Sequence, residues 1–379
     1  MFSEYDTAMM QKALSLAQKG CFSTKPNPMV GCVITRDNQI LGQGYHVRAG
    51  MTHAEVNAVN DALKNGHELE GATAYVTLEP CCHTGKTPPC ADLLIKHKIH
   101  RVVVGSLDCN PIVAGKGVML LKQAGLSVEV GCLEDSCFQL NQEFFKRMKD
   151  DLPYVRLKLA MSLDGRTAMH NGESKWITAE KSRFDVHTLR AKSGAIITGV
   201  GTVLADDPAL TARLEDGFLG GEKFTQPLKV ILDSFLRIPL SAKIFNDPGS
   251  VLVCCSKNAK EALKTSLCEK GIEVYAAPEV AGQLDLKFIL GLLAEKEIND
   301  VMVECGSTLA GSFIEAELVD EIWVYIAPIL MGAAARPLMG FELEKMADKY
   351  CFEFGEVTQL GCDLRIIGKN FKKKYKENK

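Results

Sequence analysis

Two hydrophobic periods alternate along this chain, one of helices and one of strands. Residues 4–19 set Tyr5, Ala8, Met9, Ala13, Leu16 and Ala17 at helical spacing, and Gly20 ends the run. Val30 to Thr35 and Ile40 to Tyr45 read as strands joined by a turn at Asp37 and Asn38. A helix over 53–64, ended near Gly66, precedes the strand Ala72 to Leu78. Three prolines and a glycine make Pro80 to Pro89 a rigid loop. A helix (Ala91 to Lys98), a strand (Arg101 to Gly105), a helix (Val118 to Gln123), a strand (Ser127 to Val130) and a helix (Glu134 to Met148) complete a first α/β unit.

Asp150, Asp151 and Pro153 break the pattern and mark a short connector. The expected division is a first domain over 1–150, a second over 151–368 and a basic, flexible tail over 369–379. The second domain opens with the strand Tyr154 to Ala160. Further strands are expected near 195–198, 229–233, 251–255, 273–276, 301–304, 321–327 and 363–367, with helices near 180–191, 286–296 and 308–317. At 379 residues the chain is long enough for two hydrophobic cores.

Charge and composition narrow the function. A net charge of −3 gives no basic field for a polynucleotide. No apolar run is long enough to span a bilayer. The first twenty residues carry Glu4 and Asp6 and lack a signal-peptide core, so a cytoplasmic, reducing setting is expected. The 14 cysteines are then free thiols or metal ligands. Cys32, Cys254 and Cys255 sit in apolar strand-like runs and read as small buried hydrophobes, whereas Cys81, Cys82 and Cys90 cluster around a proline-rich loop.

A zinc ion that activates water takes three nitrogen or thiolate ligands and leaves one position open. His53, Cys81 and Cys90 supply such a set, one ion per chain, and Glu55 is placed to carry the proton without ligating the metal. The pattern follows the zinc deaminases, His-x-Glu followed by Pro-Cys and a second cysteine. Two features complicate the match. Residues two apart do not share a helix face, so the ion must lie beyond the helix N-terminus, with Thr52 as the cap. The cysteines are also separated by eight residues rather than two. Alternatives stay open: Thr52 and Glu55 could form a capping box, and Cys82 or His83 could close a purely structural site.

These residues resemble a known family. Pro26-Asn27-Pro28-Met29-Val30-Gly31, Gly44-Tyr45-His46, His53-Ala54-Glu55 and the run from Pro80-Cys81-Cys82-His83 through Gly85-Lys86 to Pro89-Cys90 are similar to the bifunctional riboflavin-biosynthesis deaminase/reductases. The long cysteine spacing is typical of them. The second half shares KLAMSLDGRTA over 158–168, GESKWIT over 172–178 and GVGTVLADDPALT over 199–211. Departures are Cys82 in place of serine, Lys86 in place of arginine and Cys305 in place of a small residue.

The resemblance implies a three-layer cytidine-deaminase-like domain followed by a dihydrofolate-reductase-like α/β domain. It implies zinc-dependent deamination of a diaminopyrimidinone ribosylamine phosphate, then reduction of the ribosyl chain to ribityl with NADPH. It also implies a homo-oligomer acting on a small molecule, with neither nucleic acid nor membrane as partner. Asn27, His46, His83 and Lys86 would line the deaminase pocket. In the reductase, Lys158, Ser174, Arg190, Leu210, Arg213 and Glu304 would contact substrate. Ala160, Trp176, Thr202, Asp206, Ser234, Gly306, Ser307 and Thr308 would contact NADPH. The helix following Cys305-Gly306-Ser307-Thr308, over Leu309 to Ile314, could offer free amides to a diphosphate; Ser307 or Thr308 could equally be a plain cap. Gly199-Val200-Gly201-Thr202 reads as a short glycine turn. The competing functions are a deaminase of another nucleobase or of a polynucleotide, with an inactive or regulatory second half.

Overall fold

The computed structural model describes residues 2–82, 88–110, 114–215, 218 and 224–372. The chain forms two compact units, Met1–Asp151 and Leu152–Lys379.

The first unit runs α1 (Glu4–Ala17), β1 (Gly31–Arg36), β2 (Gln39–Tyr45), α2 (Ala54–Lys64), β3 (Thr73–Leu78), α3 (Cys90–Lys96), β4 (Arg101–Ser106), α4 (Lys116–Gln123), β5 (Ser127–Val130), α5 (Glu134–Leu140) and α6 (Gln142–Asp150). Its sheet order is β2-β1-β3-β4-β5. The first three strands pair antiparallel and the last two join in parallel. Asp37 and Asn38, at φ 51° and 61°, make the tight β1–β2 connection that their residue types suggest. Alternation along the strands feeds two cores. Val33, Tyr75 and Val103 pack under α1 and α5. Cys32, Ile34, Val76 and Val104 pack under α2, α3 and α4. The result is three layers.

One expected helix is in fact two. The run Glu134 to Met148 breaks at Asn141, whose φ of −123° and ψ of 23° leave the helical region. The cause is long-range: the Asn141 side chain accepts from the Met29 amide at 2.7 Å and donates to the Met29 carbonyl at 2.8 Å. An amide that satisfies another segment's backbone on both sides outweighs one turn of helix.

The second unit runs β6 (Tyr154–Ser162), β7 (Arg166–Ala168), α7 (Glu180–Lys192), β8 (Ala195–Gly199), α8 (Val200–Asp206), β9 (Leu228–Leu232), β10 (Val251–Ser256), α9 (Glu261–Glu269), β11 (Glu273–Ala277), β12 (Glu279–Val280), β13 (Gln283–Leu284), α10 (Leu286–Glu295), β14 (Asp300–Glu304), α11 (Ser307–Glu315), β15 (Glu321–Ala327), β16 (Arg336–Pro337), β17 (Cys351–Leu360) and β18 (Asp363–Lys372). The main sheet is ordered β11-β10-β9-β8-β14-β6-β15-β18-β17. The strands from β11 to β15 in that order are mutually parallel, and the closing hairpin β18–β17 is antiparallel. Val301, Met302 and Val303 at its centre are wholly buried on alternate faces, as a covered parallel sheet requires. The helices α10 and α11 cover one face. The other is covered by α7, α8 and α9.

Two readings of this half need correction. The expected glycine turn at Gly199 is a strand-to-helix junction, because Val200 and Val203 are buried and extend into α8. The expected tail from Lys369 is still strand, since β18 continues to Lys372 and Lys369 lies 3.5 Å from Glu321 across the ladder. Residues 373–379 lie outside the described residues. The strand β17 and helix α9 gave no sequence signal: β17 is an exposed edge without alternation, and α9 buries only Leu267.

Candidate functional site

In the first unit the chemistry gathers where β3 meets the starts of α2 and α3. Two glycines bring α2 close: a Cβ on Gly42 would lie 2.3 Å from the Ala58 carbonyl oxygen, and one on Gly44 would lie 2.6 Å from the Ala58 nitrogen. Asn57 then ties the helix start to β2, donating to the Tyr45 carbonyl at 2.8 Å and accepting from the Thr52 hydroxyl at 2.7 Å. Thr52 is thereby committed elsewhere and is not the cap. His53 is the N-cap, extended at φ −73° and ψ 167°, with no side-chain capping bond. The expected Thr52 cap and the capping-box alternative for Glu55 are both corrected. The same geometry resolves the i, i+2 problem. An extended residue just outside the helix sends its side chain past the end, while Glu55 projects from the first turn.

Cys81 follows β3, and Cys90 opens α3. The Cys90 backbone N–H donates to the Cys81 sulfur at 3.3 Å, and the Ala91 N–H donates to the Cys81 carbonyl at 3.1 Å. His53 Nδ1 lies 3.6 Å from Cys81 Sγ and 3.3 Å from Cys90 Sγ. Bonds of about 2.3 Å to sulfur and about 2.0 Å to nitrogen at a tetrahedral angle put those atoms about 3.6 Å apart, so one zinc ion fits this set. Among the described residues, these are the only three His, Cys, Asp or Glu side chains with donor atoms within 4.8 Å of one another. Hydrogen bonding from Cys90, opposed by burial and helped by His53, holds the Cys81 thiol down at about 4. Cys90 shares its proton and is shifted up.

Glu55 is 3 % exposed. Burial first, then the Cys81 sulfur, push its carboxyl up to about 7 before any cation is counted. His46 is buried too. Its Nδ1 lies 3.1 Å from the Thr52 carbonyl, and its Nε2 lies 3.1 Å from Asn27 Nδ2. A carbonyl only accepts, so Nδ1 carries the proton and Nε2 accepts from the Asn27 amide. Burial lowers the His46 pKa, and the ring stands edge-on to His53 with centroids 5.5 Å apart. His46 thus stands beside the cluster, with Asn27 bonded to its far nitrogen. His83 and Lys86 lie outside the described residues. Cys82 is not part of the three-donor set, and burial raises its thiol.

Sequence reading missed Glu79. It is buried and accepts from the backbone N–H groups of Asp108 at 3.2 Å, Gly115 at 2.9 Å and Val118 at 3.1 Å. The carboxylate pins the Pro80-Cys81 corner to the start of α4. A charged residue ending an apolar strand was the available signal.

In the second unit a cleft of about 640 Å³ opens at the carboxyl ends of the parallel strands, where α/β sheets bind ligands. Lys158, Ser174 and Glu304 of the expected substrate set line it. So do Ala160, Thr202, Asp206, Ser234 and the Gly306-Ser307-Thr308 turn of the expected cofactor set. The remaining four are elsewhere. Trp176 is 70 % exposed with the Arg183 guanidinium 4.7 Å from its ring centre. Leu210 is buried in the core. Arg213 lies 3.2 Å from His187 Nε2. Arg190 grips Glu304 with two bonds, of 2.9 and 2.7 Å. Burial alone would raise the Glu304 carboxyl, but Arg190 and Lys158 hold it at about 2. The Gly306 turn is the N-cap of α11 and has no side-chain capping bond, so Ser307 and Thr308 do not cap it. A Cβ on Gly306 or Gly201 would meet only open space. A diphosphate therefore fits against free amides there.

Residues 3–106 match the cytidine and deoxycytidylate deaminase zinc-binding region, and residues 153–365 match the RibD C-terminal domain. The chain is 46 % identical to the riboflavin biosynthesis protein RibD of Escherichia coli, over 96 % of this chain and 99 % of that one. It is 42 % identical to the Aquifex aeolicus RibD, over 98 % and 100 %. Among solved structures, form 1 of Acinetobacter baumannii RibD superposes with a TM-score of 0.88 at 45 % identity, over 97 % of this chain and 99 % of that one. A Thermotoga maritima diaminohydroxyphosphoribosylaminopyrimidine deaminase/5-amino-6-(5-phosphoribosylamino)uracil reductase superposes with a TM-score of 0.85 at 33 % identity, over 96 % and 98 %. The first unit is thus cytidine-deaminase-like and the second dihydrofolate-reductase-like, and the chain belongs to the RibD family of riboflavin biosynthesis proteins.

Proposed function

We propose that the first unit hydrolyses the exocyclic amine of 2,5-diamino-6-(5-phosphoribosylamino)pyrimidin-4-one, releasing ammonia, and that the second reduces the ribosyl chain of the product to ribityl. The observation that carries the reading is the convergence of one imidazole and two thiol sulfurs beside a buried carboxyl. His53, Cys81 and Cys90 would hold a single zinc, whose Lewis acidity makes water reactive near neutral pH. Glu55 would take the proton from the attacking water, give it to the ring nitrogen and later pass a proton to the leaving amine. His46, neutral and fixed by Thr52, would orient the Asn27 amide towards the pyrimidinone edge. Glu79 would hold Cys81 in place.

In the second unit NADPH would supply hydride. The free amides of α11 would seat its diphosphate, with Thr202, Asp206 and Ser234 around it. Lys158, Ser174 and Glu304 would orient the sugar chain, Arg190 holding the Glu304 carboxylate ionised. The resemblance would add Arg213 on the phosphate, with Trp176 and Leu210, although none of the three lines the cleft. Near-full-length relatedness does not favour a polynucleotide deaminase with an inactive second half. Among the described residues no helix is long and apolar enough to cross a membrane. A cytoplasmic setting fits the chain's relatedness to the RibD enzymes, and the net charge of −3 opposes a nucleic acid partner. A homo-oligomer is supported by the exposed Phe354 and Val357 on the edge strand β17.

The test is a coupled assay with the pyrimidine substrate, zinc and NADPH. Ammonia release followed by substrate-dependent NADPH oxidation is expected. Ammonia without oxidation would remove the reductase assignment, and neither would remove both.

A further inference from the structure

Asn141 interrupts a run that would otherwise form one helix from Glu134 to Asp150, and it is 2 % exposed. Its amide reaches Met29, 112 residues away, accepting from the N–H at 2.7 Å and donating to the carbonyl at 2.8 Å. The strand β1 begins only at Gly31, so Met29 lies outside the sheet ladder. The Asn141 amide therefore gives Met29 the pair of bonds that a neighbouring strand would give.

Met29 follows Pro28, and Pro28 follows Asn27, whose side chain meets His46 Nε2 at 3.1 Å beside the zinc ligand His53. The segment is held on the other side of Asn27 as well. The Asn27 N–H closes a turn on the carbonyl of the buried Thr24 at 2.9 Å. Beyond Met29, the Val30 carbonyl accepts from the His46 N–H at 2.9 Å, and the Gly31 N–H donates to the Thr77 hydroxyl at 3.1 Å. Val30 also packs against Leu78, Phe144 and Phe145, so the start of α6 meets this segment by apolar contact too. Asn27 is thus bracketed by the Thr24 turn before it and the Asn141 clamp after it.

A chain that gives up helical geometry at one residue to hold a distant backbone breaks its own local pattern, and such breaks are expected where function sets the requirement. The zinc ligands do not need the clamp, since His53, Cys81 and Cys90 sit at the cap of α2, after β3 and at the start of α3. What the clamp fixes is the position of Asn27. We propose that Asn141 is a positioning residue of the deaminase centre: by pinning the Met29 backbone it holds the Asn27 amide against His46, ready for the pyrimidinone edge. The proposal rests on Asn27 meeting that edge.

The test is a double-mutant cycle on the full chain, with ammonia release measured against concentration of the pyrimidine substrate. Asn27→Ala and Asn141→Ala should each raise KM about three- to tenfold, the range of one lost hydrogen bond, with a smaller change in kcat. Zinc should stay at one per chain, and NADPH oxidation with the deaminated pyrimidine should be unchanged, which shows that the chain is folded. The double variant should be little worse than Asn27→Ala alone, because residues that act through one another are not additive. A KM unmoved by Asn141→Ala, or effects that simply multiply in the double variant, would mean that Asn141 only stabilises the fold and would overturn the proposal. Asn141→Ser, which keeps one hydroxyl for Met29, carries the same cycle with the same two outcomes should the alanine variant not fold. If Asn27→Ala itself leaves KM and kcat unchanged, the placing of Asn27 at the substrate fails, and the role of Asn141 falls with it.

Discussion

The two candidate centres are assembled in different ways. At the first, three donor atoms lie within 4.8 Å before any ion is considered, delivered by residues that span only 53 to 90. Each sits at a fixed corner, namely the cap of α2, the end of β3 or the first residue of α3. At the second, the walls come from residues 158 to 338 and enclose an open cleft whose Glu304 is held by Arg190, a residue outside the walls. Metal chemistry demands fixed distances and gets them from backbone corners. Hydride transfer demands that two large reactants be brought together, so the protein offers a long surface of separate contacts.

The largest expected effect breaks the first centre alone. Cys90→Ser should lower zinc from one per chain to nearly none and abolish ammonia release while NADPH binding persists; metal analysis beside a cofactor titration checks both. Cys82→Ser should retain zinc, and the reverse pattern would mean that the wrong thiol was chosen. Glu55→Gln should keep zinc yet slow deamination about a thousandfold, within the usual range for a lost general acid–base; near-normal turnover would leave the carboxylate without a chemical role.

A smaller effect is expected at the reductase cluster. Arg190→Leu leaves the Glu304 carboxylate buried without its closest partner and should cost about 3 kcal/mol, read as a lower melting temperature. Glu304 sits at about 2 when folded against an ordinary 4.5. Its contribution is therefore full above about pH 4.5 and lost as the pH falls towards about 2. Melting curves across that window should be flatter for Arg190→Leu than for wild type. The smallest effect is at Asn141: Asn141→Ala removes two bonds to Met29 and should cost about 1–2 kcal/mol. An unchanged melting temperature would show that the helix break has another cause.

The same contrast explains what the sequence made legible. His53, Glu55, Cys81 and Cys90 could be read because ligand chemistry restricts residue type and the spacing is short. Most first-unit elements could be read because β1, β3 and β4 are short continuous apolar runs set between helical periods and turn residues. Asn141 could not, since its partner is 112 residues away. Glu79 was hidden for the same reason: all three of its donors come from a later loop and helix. The edge strand β17 lacks the buried face that creates a pattern. Trp176, Arg190, Leu210 and Arg213 came from resemblance, and the cleft walls do not include them.

Zinc K-edge X-ray absorption on the full chain tests the central claim most directly. Two sulfurs at about 2.3 Å, with one nitrogen and one further light atom at about 2.0 Å, is the expected shell. A shell with three or four sulfurs would bring Cys82 into the ligand set, close the position that water needs and contradict hydrolysis at this site.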